Sequence, residues 1–377
     1  MDLRKIRAVA RKEYYHLLRD FRSLYLAFVI PLLLILLFGY ALSLDVEHIP
    51  TVVVDHDRSL ESRDLIRRLD ATVYFDITAH LDRTSEVVQL LDQNRAVMGI
   101  VIPPKWAERL KANRKSPLQV IIDGSDPNVA GNTRAYITAF LSTLNQAGLV
   151  QFLNRQGREP IQMPVEGQIR VWFNEDLESR NFIVPGIIAI IIMIVGALLT
   201  SLVIAREYEN GTMETIRSLP LKATEFLIGK AMPYFLIGLT DVLVAVLMGQ
   251  ILFGVIMKSS FWLMILASSI YLMVALSLGL MISVVTKSQL VANQLAVLVT
   301  YLPSLLLSNF VFPVENMPFV LRCITYFVPA TYFIDILNGI YLRGVTMGVL
   351  WRDYVVLLLM CAVLGALNVR VLKREGL

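Results

Sequence analysis

Apolar residues in this chain are gathered into long blocks set apart by polar stretches, and the block lengths predict the architecture. Residues 183–205 (IVPGIIAIIIMIVGALLTSLVIA) contain no charged side chain. A helix rises 1.5 Å per residue, so roughly 20 such residues cross the hydrocarbon layer of a bilayer. Further apolar blocks lie at 24–44, 231–256, 261–285, 290–312 and 354–372, so the pattern predicts six spans. Pro31 is expected to kink the first, because proline removes one helical donor and crowds the preceding turn. Within residues 313–353 two shorter apolar pieces, 317–328 and 331–342, flank Pro329-Ala330. Neither is long enough to cross, so both are expected as re-entrant or interfacial helices.

Residues 45–180 have the charge density of a soluble domain. Strands are predicted at 51–55 (TVVVD), 72–77, 97–102 and 118–123 (LQVIID), and helices at 60–69, 85–94 and 105–112. A long helix is expected over 128–154. Alternating strands and helices argue for an α/β or α+β sandwich inserted between the first two spans. Residues 155–167, with Pro160 and Pro164, read as loop, and 169–173 as a returning strand. The fold expected is thus a polytopic α-helical membrane protein with six transmembrane helices and one inserted α/β domain.

Composition agrees, since 56% of the 377 residues are hydrophobic and mean hydropathy is +0.61, too apolar for an ordinary soluble domain. The net charge of +4 is uneven: 45–180 hold 16 basic and 19 acidic residues, and the remainder holds 19 and 12. Such a split follows membrane topology and gives no sign of nucleic-acid binding. Basic residues mark cytoplasmic loops. Arg206, Arg217, Lys222 and Lys230 mark 206–230, Lys287 marks a turn at 286–289, and Arg370, Lys373 and Arg374 mark the last segment. Both ends are therefore expected inside and 45–180 outside. The first apolar run is too long for a cleavable leader and no small-residue cleavage site follows it. Cys323 and Cys361 imply no disulfide framework.

At the start, Leu3, Ile6, Ala10, Tyr14, Leu17 and Phe21 recur at helical spacing while seven Arg and Lys residues take other faces. That pattern suits a helix in the headgroup layer of an anionic membrane surface. In the loop 206–230, Gly211 is expected to end one unit and Thr212 to cap the next. Met213, Ile216 and Leu219, three apart, give a short helix one apolar stripe, and Pro220 closes it. Glu207, Glu209 and Glu214 remain as polar handles. They are explained either by local pairs, Glu214 with Arg217 and Arg206 with Glu209, or by contact with a partner protein. A plain solvated turn is the bland alternative.

The wording R-E-x-E-x-G-T-x-E, then Pro220, Glu225 and Gly229-Lys230 entering the next apolar block, resembles the type-2 permeases of ABC transporters, chiefly the exporter branch. The M-P…V-P-A-T-Y-F…L-R-G arrangement before the last span resembles them too, although many relatives are basic near Asn338. The resemblance implies that 206–230 carries a coupling helix touching an ATPase subunit, with Arg206, Glu207, Glu209, Gly211, Thr212 and Glu214 at the contact. Residues 1–22 would form an elbow helix, with Glu13 a further contact. It also implies two half-transporters, identical or paralogous, sharing a path lined by the first, second and fifth spans. Relatives with a domain of this size after the first span look like multidrug efflux components of the bacterial inner membrane. The implied substrate is an amphiphilic drug or lipid, and the outer domain would guide substrate or dock a periplasmic adaptor.

No G-x-x-x-x-G-K-[ST] phosphate loop occurs, and Gly229-Lys230 lacks the upstream glycine and the following hydroxyl. ATP and Mg are therefore expected on the partner ATPase, with no cofactor in this chain and no catalytic constellation. The Gly124-Ser125-Asp126-Pro127 turn is accounted for by turn chemistry, and His48, His56 and His80 lack ligand spacing for a metal. Candidate residues of a translocation path are Asp241 and Gln250 in the third span and Asn293, Ser308 and Asn309 in the fifth. Asp241 stands about ten residues past the cytoplasmic edge, where an ionised carboxyl needs water or a partner. Two other classes stay open: an ion-coupled secondary transporter using Asp241, and a membrane receptor with an outer ligand-binding domain. The first would show paired internal repeats and the second a cytoplasmic output domain; the sequence shows neither.

Overall fold

A computed structural model describes residues 2–41, 48–112, 114–155, 173 and 178–376. The chain divides into a helical unit, Met1–Ser43 with Val171–Leu377, and a second unit, Leu44–Arg170.

The helical unit is built around α7, Arg180–Glu209. Residues 183–197 of this helix are buried all round, as expected of a helix apolar on every face. Beside it runs α10, Phe261–Thr286. Their approach is close enough that a Cβ on Gly279 would lie 2.3 Å from the Ala197 carbonyl oxygen. Polar side chains stitch the seam. Thr200 Oγ1 donates to the Leu276 carbonyl at 3.0 Å, and Tyr271 Oη to that of Ala189 at 3.1 Å. Ser283 Oγ accepts from the Ile204 and Ala205 amides at 2.9 and 2.8 Å. Small residues plus hydroxyl bonds are how apolar helices recognise one another, since burial against lipid or against leucine is energetically alike.

Around this pair stand α1 (Leu3–Arg19), α2 (Phe21–Ala41), α9 (Ala223–Phe253) and α15 (Met347–Arg374). The expected fifth span is interrupted. It consists of α11 (Gln289–Ala296), a π turn (Val297–Tyr301) and α12 (Leu302–Leu306). Pro303 accounts for the irregularity, since it has no N–H to give to the turn before it. Regular helix stops there at Leu306, short of the expected 312. Among the described residues five helices (α7, α9, α10, α11 with α12, and α15) are long and apolar enough to cross a membrane. In α2, the described apolar piece is Phe28–Phe38; residues 42–44 of the expected first span lie outside the described residues.

The two pieces expected before the last span are α13 (Phe319–Thr325) and α14 (Pro329–Asn338), the latter continued by a π turn, Gly339–Arg343. They meet at a 75° bend. Pro318 and Pro329 set both starts, proline being suited to a first helical turn and unsuited to an interior. Helices α9 and α15 begin eight and seven residues before the apolar blocks they contain. Hydropathy marks the hydrocarbon layer, whereas helical hydrogen bonding continues into the polar flanks.

The second unit holds β1 (Ile49–Asp55), α3 (Leu60–Asp70), β2 (Phe75–Leu81), α4 (Thr84–Asp92), β3 (Met98–Ile102), α5 (Trp106–Lys111), β4 (Gln119–Ile122) and α6 (Pro127–Arg155). The sheet order is β2-β1-β3-β4, with β1 parallel to β2 and β3, and β4 antiparallel to β3. Side chains of β1 alternate between two cores. Val53 joins Leu65, Phe75 and Met98, while Val52 and Val54 join Val87 and Val101. The second strand starts three residues later than expected. Thr72 instead turns the chain after α3, its hydroxyl donating to the Leu69 carbonyl at 2.7 Å. The expected strand at 169–173 lies outside the described residues apart from Phe173.

Candidate functional site

Helix α7 ends in Arg206-Glu207-Tyr208-Glu209, and Gly211 at φ +70° turns the chain, a conformation glycine adopts without strain. The short helix α8, Thr212–Ser218, follows. Met213 and Ile216 are buried, but Leu219 is extended and 49% exposed, so the expected stripe of three is a pair. Thr212 does not cap α8. Gly211 occupies that position, and the Thr212 hydroxyl donates to the Glu207 carboxylate in a short contact.

That contact belongs to a buried cluster joining four segments. Lys230, on the third turn of α9, is 2% exposed. Its Nζ donates to Glu13 Oε2 of α1 at 2.6 Å and to Glu207 Oε1 of α7 at 2.5 Å. Tyr234 Oη donates to Glu13 Oε1 at 2.9 Å, and Lys12 Nζ to Glu207 Oε1 at 2.8 Å. Two ammonium groups thus face two carboxylates. A buried charge is tolerable only with such pairing and full hydrogen bonding. Gly229 lets α1 come this near, since a Cβ there would lie 2.7 Å from Val9 Cβ. Glu225 ties the two starts together, accepting from the Asp2 amide at 2.7 Å and the Lys222 amide at 3.2 Å.

Neither local pair weighed from the sequence forms. Arg206 turns to His16 Nδ1 at 2.9 Å and Asp20 at 3.6 Å, and Arg217 meets Glu375 at 3.2 Å. Glu209 accepts from the Gln289 amide and side chain at 2.8 and 2.5 Å. Glu214 is exposed and has no hydrogen bond or ion pair among the described residues. Of the four candidate glutamates, Glu13 and Glu207 therefore face inward, Glu209 holds a neighbouring turn, and Glu214 is open to a partner. Lys230 stood out in the sequence as a loop charge and as part of the Gly229-Lys230 wording, and not as a buried residue. Its spacing from Tyr234, one helical turn along an otherwise apolar face, was the signal of a buried role. Just past α15, the Lys287 ammonium keeps the Glu375 carboxyl below its ordinary value of 4.5, outweighing the opposing effect of partial burial.

The candidate path residues are not gathered into one site. Asp241 is buried on α9 beside a small cavity bounded by Ile192, Val195 and Gly196 of α7 and Leu272 of α10. Among the described residues its Oδ2 has no hydrogen-bond partner. Gln250 and Asn293 lie on exposed helix faces. Ser308 donates to the Ser304 carbonyl, and Asn309, at φ +65°, accepts from the Val314 amide at 3.1 Å. These last two organise the end of the fifth apolar block.

Long apolar helices seamed by small residues and hydroxyls, with buried ion pairs gathered where α1, α7 and α9 meet, define a multi-pass membrane protein. The profile of the ABC-2 family transporter proteins matches residues 21–370, and the chain belongs to that family. It is 36% identical over 345 residues to the probable multidrug ABC transporter permease YbhS of Escherichia coli K12, covering 91% of this chain and 90% of that protein. It is 28% identical to the probable multidrug ABC transporter permease YbhR of the same strain, covering 97% of each chain. Identity to that strain's inner membrane transport permease YhhJ is 25%, over 82% of this chain and 81% of the relative. The chain is an ABC transporter membrane subunit.

Proposed function

We propose that this subunit is the permease of an ATP-binding cassette exporter in a bacterial inner membrane, working as a pair of identical or paralogous copies. It moves an amphiphilic, drug-like or lipid-like substrate outward, and ATP hydrolysis takes place on separate ATPase subunits. The chain has six spans with both ends in the cytoplasm, the sheet-containing unit outside, and no ATP or Mg site of its own. The substrate class is carried over from the names of the YbhS and YbhR relatives. The outer unit guides substrate or docks a periplasmic adaptor.

The observation that carries the coupling role is the buried Glu13–Lys230–Glu207 cluster. It joins α1, α7 and α9, and through Thr212 also α8, so a push on α8 reaches three helices together. In this reading α8 is the coupling helix. Glu214 and Leu219 meet the ATPase, while Glu207 and Glu13 act from inside by holding α8 to the spans. The test is transport by the reconstituted chain with and without an ABC ATPase. ATP-dependent transport that needs the ATPase supports the reading. Robust transport by the chain alone under a proton gradient overturns it in favour of a secondary transporter, for which the unpartnered Oδ2 of Asp241 is the supporting observation.

A further inference from the structure

A second polar assembly lies near the first, at the same end of α7. Glu375, the residue after α15, accepts from Lys287 Nζ through both carboxylate oxygens, at 2.7 and 2.9 Å. It also accepts from Arg217 Nη2 and from Tyr208 Oη, each at 3.2 Å. Two cations lie over the Tyr208 ring, Lys287 Nζ 5.1 Å and Arg217 Cζ 5.7 Å from its centroid, a favourable arrangement for a π face. One carboxylate thereby joins α8, the end of α15 and the turn between α10 and α11. Glu209 grips the far side of that turn through Gln289.

Two features bear on what this assembly does. Lys287 sits at φ +54°, a left-handed conformation that costs energy in a residue with a Cβ and persists only where the surroundings impose it. The groups are also partly exposed, Glu375 by 26% and Lys287 by 44%. Pairs this exposed add little to stability, so the network's effect is on position. The segment it positions is the start of α11, the first part of the fifth span. Without the network, the side-chain hydrogen bonds of α8 to other elements are, among the described residues, those of Thr212 to Glu207 at the end of α7.

We infer that Glu375 is a positioning residue for transport. It latches α8 to the α10–α11 turn and to α15, so that load on α8 enters the fifth span as well as α1, α7 and α9. The latch stays closed through the cycle, as a tie rod would. This rests on reading α8 as the ATPase contact. The path continues inward through α15, whose Asn368 Nδ2 and Tyr354 Oη donate to the Ser277 and Leu263 carbonyls of α10, both at 2.8 Å.

The experiment has two arms. In the purified full chain, hydrogen exchange is compared between wild type and Glu375→Gln. Faster exchange in both α8 and the 284–290 turn, with an unchanged melting temperature, is expected. A change confined to the last turn of α15 overturns the latch. In the reconstituted complex, Glu375→Gln should lower substrate-stimulated ATP hydrolysis by about 2- to 30-fold, the range typical of residues that carry coupling. In a background with Cys323→Ser and Cys361→Ser, Arg217→Cys with Lys287→Cys, one on α8 and one on the turn, should show the same loss. A short bis-methanethiosulfonate cross-linker, which forms a disulfide with each cysteine and releases sulfinate, should then restore stimulation, a rescue that a general folding defect would not show. Full stimulation in Glu375→Gln, or no rescue on cross-linking, overturns the proposal. If the wild-type complex itself shows no ATP-driven transport, the exporter reading fails, and the exchange arm still decides whether the latch exists. Because Glu375 is held below 4.5, its contacts contribute above that value and are lost as pH falls beneath it. The wild-type to Glu375→Gln ratio should therefore be flat between about pH 6 and 8.

Discussion

In the sheet-containing unit the salt bridges lie outside, Arg58 with Asp82 at 2.9 Å and Asp64 with Arg67 and Arg68 at 2.5 and 2.7 Å. Isoleucines, valines and leucines, with Phe75, Met98 and Trp106, fill its interior. In the helical unit the order is reversed. Apolar side chains cover much of the outside, and Lys230, Glu13 and Glu207 are shut in. The solvent each unit is built for explains the difference. In water, burying aliphatic surface drives folding and also selects the arrangement that buries most. In lipid, sliding one apolar helix along another changes little in that term, so the register must come from small-residue contacts and from polar groups that accept only certain partners. The buried cluster fixes register where the four segments meet.

Removing the charge at the centre should have the largest effect. Lys230→Ala leaves Glu13 and Glu207 buried without their shared cation, and a loss of about 3–5 kcal/mol is expected. The measurement is thermal unfolding and monodispersity in detergent. The replacement Glu13→Gln, Lys230→Met, Glu207→Gln should recover most of that stability while substrate-stimulated ATP hydrolysis stays low. Asp64→Ala in the other unit should cost no more than about 1 kcal/mol. Equal costs at Lys230 and Asp64 would break the comparison.

Next in size is the seam between α7 and α10. Gly279→Ala pushes a methyl group into the Ala197 carbonyl and should cost about 1–3 kcal/mol. At Gly124, where an added Cβ meets nothing within 4 Å, the same change should stay within about 0.5 kcal/mol. Comparable melting temperatures for the two variants would show that the seam gives way easily.

The smallest effect on stability belongs to Glu214→Ala, within about 0.5 kcal/mol because the side chain is free. Its effect on the complex should be large, with substrate-stimulated ATP hydrolysis mostly lost and pull-down of the ATPase weakened. Wild-type stimulation in this variant would make α8 a connecting turn.

Much of this architecture was legible in residue order. A charge-free run such as 183–205 has one physical solution in lipid, and a short β-branched run such as TVVVD suits a strand buried on both faces of a sheet. The α7–Gly211–α8 reversal was also legible, because only a few residues accept a positive φ. What could not be read was where the glutamates turn. Glu207 and Glu209 stand two apart on one helix, yet the first is drawn inward by Lys230 and the second outward to Gln289. Helical spacing already sets residues two apart on nearly opposite faces, but which of the two turns inward depends on Lys230 and Gln289, far along the chain. Thr212 illustrates the same limit, since a hydroxyl suited to capping found a buried carboxylate closer to hand.

The π turn at Val297–Tyr301 changes how the fifth apolar block should be drawn. Ala292, Ala296, Thr300 and Ser304 are all buried, yet they recur every four residues. On an unbroken α-helix such a series drifts about 40° per step, because 3.6 residues complete a turn. By Ser304 the line would have wound a third of the way around. The π turn takes up one extra residue midway and resets the phase by about 100°. The small side chains can then run as a straight column while Asn293, on the same side as Ser304 in a conventional wheel, looks away. Facing relationships inferred across residue 299 from helical wheels are therefore rotated, and the span is better treated as two cylinders with a fixed angular offset.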